Sequence, residues 1–553
     1  MSDARPWLAH LSQMFAAAAL CALALFGSGV AAAQSAPELR RQGDAVQLIV
    51  DGAPFLMLAG ELGNSSASSL AYMEDVWPRL QALNLNTVLA PVAWEQIEPR
   101  EGAFDFTVLD GLISEARAHD MRLVLLWFGS WKNSMSSYAP AWVKRDHARF
   151  PRARDENGRA LEILSPFYAE NWQADARAFA ALMAHLRRVD GARNTVLMVQ
   201  VENEIGMIPS ARDHSEAAEA AFAADVPDEL VGVLPTTRGL REPAHALQWD
   251  GAISYTQGDW RRIFGPGPAA EEVFMAWHFA RYTEAVTAAG KAEYALPMFV
   301  NAALYRPGIA PGDYPGGGPL PHLREIWQAG APSLDFLAPD IYFPNFSRWL
   351  AAYDWPNHAM FIPEANRAGR AENAADAFLS FADHDAMGFS PFSIESAPDD
   401  DALGAAYAML RQLAPIILRH QGLGTMTGLR PPVSHEAEVD ARPVRRTLGD
   451  YVVTTTFVDP WTPRDAQNIA AHGGLIIQLG AEEFLVAGQG LTLTFATTGE
   501  DIAGIESAWE GSYSNGEWIA GRLMNGDQTH QGRHIRLPPG DFTMQRVRLY
   551  RYR

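Results

Sequence analysis

The sequence predicts an α/β protein: a (β/α)8 barrel followed by a smaller all-β, sandwich-like C-terminal domain. Three observations carry this expectation. Short apolar runs alternate with helix-period segments over roughly the first 420 residues. Two of those runs lead directly into a glutamate, in Gln200-Val-Glu-Asn-Glu-Ile-Gly206 and Phe361-Ile-Pro-Glu-Ala-Asn366. Beyond residue 422 the helix-period segments stop, and strand-like runs follow one another with turn signals between them.

The first element is a targeting segment. Arg5 precedes an apolar run over residues 14–26, and Ala31-Ala-Ala33 follows. Charge, apolar run and small residues form the secretory pattern. The run falls short of the roughly 20 residues of a spanning helix. Cleavage is expected after Ala33, which gives residues 1–33 as signal peptide and a secreted or periplasmic mature protein. Cys21, the sole cysteine, lies inside the run. Lipidation there is the weaker alternative, because a further apolar stretch follows it. A chain cleaved after Ala33 has no disulfide, cysteine nucleophile or thiolate metal site.

The barrel is assigned to residues 34–421 and the β-domain to 422–553. A hairpin over 46–59 turns at Asp51-Gly52 and leads into, or includes, the first barrel strand. Further strands are expected at 87–89, 123–127, 196–201, 298–301, 336–341, 360–362 and 388–392. Helix-period segments lie at 70–83, 109–118, 174–189, 271–289, 374–381 and 402–418. This alternation implies a parallel sheet, and eight units imply closure. The connection from Glu204 to Met298 is longer than one unit needs, so residues 206–268 should elaborate the barrel mouth. Residues 305–321 are dense in Pro and Gly, and Gly316-Gly-Gly318 reads as a flexible lid. Strands of the β-domain are expected at 451–457, 475–479, 484–487, 491–495, 535–537 and 547–552. Trp461, Trp509 and Trp518 within it are read as core or interface packing rather than polymer contacts.

Hydrophobic residues at 48% and charged residues at 20% describe a globular chain, and 553 residues exceed a single core. A net charge of -21 disfavours nucleic acid or an anionic membrane as partner. It suits a soluble protein acting on neutral ligands. Aromatic residues make up 10% of the chain; most should fill core, and some could stack on sugar rings.

A strand that ends in glutamate aims a carboxylate out of the C-terminal end of a barrel, where barrel chemistry is done. Glu204 ends the fourth expected strand and Glu364 the seventh, so both point into one mouth. Two carboxylates there suffice to cleave a glycosidic bond. One protonates the departing oxygen; the other attacks the anomeric carbon or activates water. Glu202 and Glu204 fall on the same side of a regular strand, so spacing alone does not choose between them. Asn203 favours Glu204, because an amide beside the acid can hold a substrate hydroxyl. In Trp94-Glu-Gln-Ile-Glu-Pro-Arg-Glu-Gly-Ala-Phe-Asp-Phe106, Pro99 and Gly102 impose a turn, residues 98–106 read as a structural loop, and Trp94 is the candidate for the pocket. No histidine spacing suits a metal; Asp383-His-Asp385 reads as a solvated helix end. Gly316-Gly-Gly318 lacks the Lys-Ser/Thr of a phosphate loop. No metal and no cofactor are expected.

The Trp94–Phe106 loop string, the Gln-x-Glu-Asn-Glu-x-Gly string and Pro363-Glu364 resemble retaining β-galactosidases of clan A. The Glu-Asn-Glu-x-Gly form resembles glycoside hydrolase family 35, and the loop string is closer to family 42. Trp127-Phe-Gly-Ser-Trp-Lys-Asn133, followed by Ser137-Tyr-Ala-Pro140, resembles a bacterial secreted branch of family 35 with a β-domain behind the barrel. The resemblance covers roughly residues 40–420. It implies that Asn203 contacts the sugar 2-hydroxyl, Glu204 is acid/base and Glu364 is nucleophile. Glu202 becomes a supporting or glycone-contacting residue, and Tyr342 a hydrogen-bond partner of the nucleophile. Trp127, Trp131, Lys132 and Asn133 are implied to line the mouth. Glu61 and Asn64 fall where family members bind glycone hydroxyls, although Gly60-Glu-Leu-Gly-Asn64 departs from the commoner string; Glu395 has a similar claim. The implied activity is exo-release of terminal β-linked galactose by double displacement. The alternatives are another glycone, such as a β-glucoside or β-fucoside, and a non-catalytic carbohydrate-binding barrel. The implied partner is a carbohydrate, including galactosylated plant cell-wall hemicellulose, with no nucleic acid and no membrane in the mature form.

Overall fold

The computed structural model describes residues 35–234, 252–399 and 401–553. The expected signal segment, with Arg5, Cys21 and Ala33, lies outside the described residues. Parallel strands β1 (Met57–Glu61), β2 (Thr87–Ala93), β3 (Arg122–Lys132), β4 (Val196–Asn203), β5 (Met298–Ala303), β6 (Phe336–Ile341), β7 and β8 (Gly388–Phe389) close a barrel. β7 is interrupted at Pro363, which has no N–H for the ladder. Phe361–Ile362 pairs with β8, and Glu364–Ala365 pairs with β6. β8 pairs with β1, so the sheet returns on itself. Every residue of β2, β4 and β6 is buried, as a parallel sheet covered on both faces requires.

The N-terminal hairpin plugs one end. Ala45–Val50 runs antiparallel to Glu38–Gln42 and to Ala53–Pro54. It turns at Asp51 (φ 54°) and Gly52 (φ 82°), the two positive angles a two-residue hairpin turn demands. Leu48 and Val50 join Leu89, Val124, Leu126, Phe299 and Phe361 in one apolar cluster. Asp51 accepts from Arg122 (2.9 Å) and Asn194 (2.8 Å), at the starts of β3 and β4. The opposite, C-terminal end is left for chemistry.

Helices α1 (Thr107–Ala118), α2 (Ala169–Asp190), α3 (Pro268–Glu293), α4 (Asn373–Asp383) and α5 (Ala402–His420) sheathe the barrel. On α5, Leu403, Ala406, Tyr407, Leu410, Leu413 and Ile417 recur every three or four residues and are buried. The Tyr407 hydroxyl lies 2.8 Å from the carbonyls of both Ala59 and Phe389, across the seam where β8 meets β1. The hairpin is stitched to the end of the same helix: Gln42 donates to the Leu418 and Gln421 carbonyls, and Gln47 to Leu418.

Residues 305–321 run as a loop, but Gly316-Gly-Gly318 is not a free lid, contrary to expectation. Met207 and Gly316 exchange backbone hydrogen bonds of 2.8 and 3.1 Å. Glu272 of α3 accepts from Tyr314 (2.6 Å) and pairs with His322 (2.9 Å). The glycines serve close packing rather than motion. A Cβ on Gly206 would stand 2.6 Å from the Pro315 side chain, and one on Gly318 2.7 Å from the Ile205 carbonyl oxygen.

After α5 the described strands are antiparallel and form two sheets. They are β9 (Met426–Leu429), β10 (Val444–Leu448), β11 (Tyr451–Thr456), β12 (Gly473–Gly480), β13 (Glu483–Gln489), β14 (Leu491–Thr497), β15 (Ile502–Ser514), β16 (Glu517–Met524), β17 (Ile535–Leu537) and β18 (Thr543–Tyr552). One sheet has the order β9-β12-β13-β18-β15-β16 and the other β10-β11-β14-β17. Val453, Phe457, Ile476, Phe484, Val486, Leu493, Val547 and Leu549 fill the space between them. Alternate residues of the first sheet, among them Leu475, Ile477, Leu485 and Met544, belong instead to the cluster of the barrel helices. Arg430 forms a 2.7 Å ion pair with Asp376 of α4 across this junction. Trp461 is 53% exposed and Trp509 37%, so neither packs in a core as expected; Trp518 is half-buried at the edge of the junction.

Candidate active site

The fourth strand leaves the sheet through residues that no regular strand contains. Glu202 (φ 62°) and Glu204 (φ 46°) are both left-handed, a conformation unfavourable for side chains with a Cβ and concentrated at functional sites. The alternation that would put the two acids on one side is thereby broken. Glu202 turns inward, where it accepts from the Trp131 backbone N–H at 2.7 Å and faces Asp175. Glu204 turns into the mouth. Its own N–H donates to Asn301 Oδ1 at 3.0 Å. Asn133 donates from Nδ2 to Glu204 Oε2, from a turn that is itself left-handed at Asn133 and Ser134.

Glu364 faces it from β7. Tyr342 donates its hydroxyl to Glu364 Oε2 at 2.5 Å, and Asn203 donates from Nδ2 to Oε1 at 3.2 Å. One carboxylate oxygen from each of Glu204, Asp340 and Glu364 lies within 4.8 Å of the others. Asn301 joins these groups, donating to Asp340 Oδ2 at 2.7 Å. Glu61, at the end of β1, is fully buried with neither carboxylate oxygen hydrogen-bonded. Lys132 supplies the positive charge that faces Glu364, Glu61, Glu204 and Asp340, and it donates to Asn203 Oδ1 at 2.9 Å. Four buried carboxyls around one ammonium cannot all be ionised. Burial, then the charge of Glu364, raises Glu61 and Asp340 well above the usual carboxylate range. The same two causes, in that order, push Glu204 up to about 7. Burial, then Glu364, raises Tyr342 as well, so it stays a phenol that donates. Glu204, Asp340 and Glu364 are also the acids among the described residues close enough together to reach one metal ion. In this arrangement Lys132 and three asparagine amides serve them.

A consequence for pH follows. A general acid works only while protonated, so kcat/KM should fall as pH rises through about 7, the value for Glu204. Because folding raises this carboxyl, the folded state holds its proton more tightly than the unfolded chain does. The associated stability is present at acid pH and is lost as pH climbs from the ordinary value of 4.5 to about 7. Glu204→Gln should flatten that part of the melting-temperature profile. An unchanged profile would remove Glu204 as the titrating group.

Several expected residues point elsewhere. Trp94 is fully buried; its indole N–H donates to Glu98 at 2.9 Å, and Glu98 in turn accepts from the Gly102 N–H at 2.7 Å. It anchors the 94–106 loop rather than lining the pocket. Trp127 donates to Asp175 at 2.8 Å, and Trp131 packs edge-on against Tyr282 with ring centroids 4.6 Å apart. Both are fully buried among these interior partners, and Glu202 shares their surroundings. Glu395 accepts from the Gly63 N–H at 2.9 Å and from the Ser66 hydroxyl, fastening the loop that carries half-buried Asn64. The structure thus brings together Glu204, Glu364, Asn203, Tyr342, Glu61, Lys132 and Asn133. Asn301 and Asp340 were not singled out by the sequence reading, although both lie at the C-terminal ends of expected strands, where such groups are to be sought.

A (β/α)8 barrel with two facing glutamates after its fourth strand and in its seventh has the layout of the clan A glycosidases. Comparison with known proteins agrees in part of the chain. Residues 70–284 match the glycoside hydrolase 42 family model, described as β-galactosidase. This is the family nearer the Trp94 loop string, not specifically family 35. Residues 403–536 match a domain of unknown function (DUF5597). A β-galactosidase from Xanthomonas manihotis is 29% identical over 199 residues, which cover 35% of this chain and 30% of that protein. The chain therefore spans less than a third of that relative. Among solved structures, the β-galactosidase of the psychrophilic Marinomonas ef1 aligns with a TM-score of 0.44 at 12% identity, over 65% of this chain and 60% of that one. The β-galactosidase of Bacillus circulans sp. alkalophilus aligns with a TM-score of 0.45 at 15% identity, over 66% and 57%.

Proposed function

We propose that this chain is a retaining exo-glycoside hydrolase that releases terminal β-linked galactose from oligo- or polysaccharides, with Glu364 as nucleophile and Glu204 as acid/base. The observation that carries this reading is the approach of the two carboxyls, with oxygens within 4.8 Å. Oxygens this close agree with the carboxyl separation of about 5–5.5 Å at which the second carboxylate attacks directly. Their surroundings divide the roles. Glu364 accepts from Tyr342 and Asn203, which fix its carboxyl facing Glu204. Glu204 is held protonated near neutrality by burial and by its neighbour's charge.

In the first step Glu364 attacks the anomeric carbon, the glycosidic C–O bond breaks, and Glu204 gives its proton to the departing oxygen. Esterification removes the charge of Glu364, so Glu204 is left more acidic. In the second step Glu204 takes a proton from water, the resulting hydroxide attacks the anomeric carbon, and Glu364 leaves as carboxylate. Glu61, buried with unpaired oxygens, offers acceptors for glycone hydroxyls. Galactose as glycone is supported by the family match over residues 70–284 and by the named relative. Placement in family 35 rests on the Glu-Asn-Glu-x-Gly string and on the stretch over residues 127–140. Residues 34–421 are proposed as the catalytic unit and 422–553 as its support, with galactosylated hemicellulose as a natural substrate.

A panel of nitrophenyl glycosides, with the first product followed by proton NMR, tests this reading. The β-galactoside should be cleaved fastest and should release the β-anomer. An α-anomer would end the retaining assignment, preference for a β-glucoside or β-fucoside would change the glycone, and inertness toward all would favour a binding barrel. Secretion is proposed on the pattern at residues 5–33. N-terminal sequencing of protein recovered outside the cytoplasm should begin at Gln34; an intact Met1 or a lipidated Cys21 would refute cleavage there.

A further inference from the structure

The outer face of the six-stranded sheet is covered by α4 along β9 and β12 and by α5 at the Tyr513 end of β15, where the Tyr513 N–H donates to Gln412, but around Ser507, Trp509 and residues 546–552 it stands open. Strand registers set Trp509 opposite both Arg546 and Leu523, Ser507 opposite Arg548, and Gly504 opposite Tyr550. Period-two alternation keeps Arg546, Arg548, Tyr550 and Tyr552 on this same face. Trp509 is 37% exposed, Tyr550 45% and Tyr552 47%. Two glycines let aromatic rings lie across the sheet. A Cβ on Gly504 would stand 2.5 Å from ring atoms of Tyr550, and one on Gly511 2.6 Å from the Trp518 indole. Tyr550 lies on the sheet beside Tyr552, with ring centroids 5.6 Å apart, and Trp518, packed against Tyr513 and the barrel cluster, forms the inner wall of the patch that Trp509 continues outward. A cavity of about 280 Å³ opens among Glu483, Ser507, Trp509, Trp518, Arg546 and Arg548.

The charges narrow the choice of ligand. Arg546 is paired with Glu483 at 2.5 Å and Arg548 with Glu506 at 3.6 Å. Both arginines are neutralised in place on a chain of net charge -21, so the patch does not attract a polyanion. Charged groups stand at its centre, where protein–protein interfaces are depleted of them. Flat aromatic faces accept the apolar C–H faces of sugar rings. Guanidinium donors and a carboxylate acceptor between them match hydroxyl groups. We propose that Trp509, Trp518 and Tyr550, with Arg546, Arg548 and Glu483, form a second carbohydrate site that holds a neutral polysaccharide chain away from the catalytic mouth. The choice of a saccharide rests in part on the glycoside hydrolase reading; the open, charge-neutral aromatic face does not.

Affinity electrophoresis of the full chain through gels containing galactosylated xyloglucan or pectic galactan tests the proposal, with Glu364→Gln as parent so that the polymer survives. The parent should be retarded by at least one of the two. Trp509→Ala and Tyr550→Ala should each weaken the retardation at least fivefold. The same two substitutions in the otherwise unaltered enzyme should leave kcat/KM on a nitrophenyl galactoside within twofold. Tyr550→Ala stands in where Trp509→Ala fails to fold. Undiminished retardation in both variants, or none of the parent by either polymer, would overturn the site. So would a parent dimer in gel filtration that these substitutions dissociate, since a second copy would then be the occupant. If polymer binding depends on these residues while no nitrophenyl glycoside is cleaved, this site stands and the hydrolase reading fails.

Discussion

Glu364→Ala should lose activity by at least on the order of 10⁴-fold, the scale on which removal of a covalent nucleophile is felt. Glu204→Ala should behave differently. Its loss should fall within about 10²–10⁴-fold and depend on the leaving group, because a nitrophenolate departs without a proton and an alkoxide does not. Added azide separates the two variants. In Glu364→Ala it occupies the space of the missing carboxylate, attacks the anomeric carbon once and gives an inverted glycosyl azide. In Glu204→Ala the glycosyl-enzyme still forms on Glu364, and azide displaces it to give a retained product. Product stereochemistry is the measurement. The opposite pattern would exchange the two roles, and wild-type turnover in either variant would take that residue out of the reaction.

Arg430→Ala should destabilise the protein by about 3–5 kcal/mol, the cost of leaving one member of a buried ion pair alone. The pair joins α4 to β9 at 2.7 Å, and both side chains are almost completely buried. Burial pushes Asp376 up to about 7 even though Arg430 opposes the shift. Without the arginine the carboxyl should rise further and take up a proton to fold. The penalty should therefore grow as pH rises above about 7, where the parent's Asp376 ionises and the variant's still holds its proton, and be smaller below it, where both folded proteins hold the proton. Asp376→Leu combined with Arg430→Met should recover most of the loss, since a well-packed apolar pair commonly equals a buried ionic one. Urea midpoints at two pH values would show this. A single variant within about 1 kcal/mol of the parent, the scale of an exposed pair, would mean the contact is solvated.

The parts of the fold that read clearly in the sequence were those where one physical requirement dominates. β3, β4 and β6 are buried on both faces, so they appear as apolar runs. Glu204 and Glu364 stood out because a carboxylate at the end of such a run has no reason in packing to be there. Side-chain direction was not legible. Trp94, Trp127 and Trp131 were expected at the mouth, but each is turned into the interior, the first two by hydrogen bonds to Glu98 and Asp175. Those acids lie elsewhere in the chain and nothing local announces the pairing. Glu202 and Glu204 parted because both residues are left-handed, and strand periodicity assumes neither is. Asn301 and Asp340 were overlooked because they close the ends of apolar runs without an eye-catching motif. Of the β-domain tryptophans expected to pack in a core or interface, Trp518 meets the barrel cluster while Trp461 and Trp509 are exposed; which of them faces outward depends on registers that only the paired strands reveal.

The stitch between the N-terminal hairpin and the end of α5 sets an order of events at the ribosome. Gln42 bonds to a carbonyl 376 residues further along the chain. At synthesis rates of roughly 5–20 residues per second, the hairpin waits on the order of tens of seconds before its partner exists. Over that interval Leu48 and Val50 have no barrel to plug, and β1 has no β8 to meet. A contact so distant in sequence makes closure a late step. The barrel therefore cannot be completed from its first strands onward, and a nascent chain would stay open until Gln421 has been made.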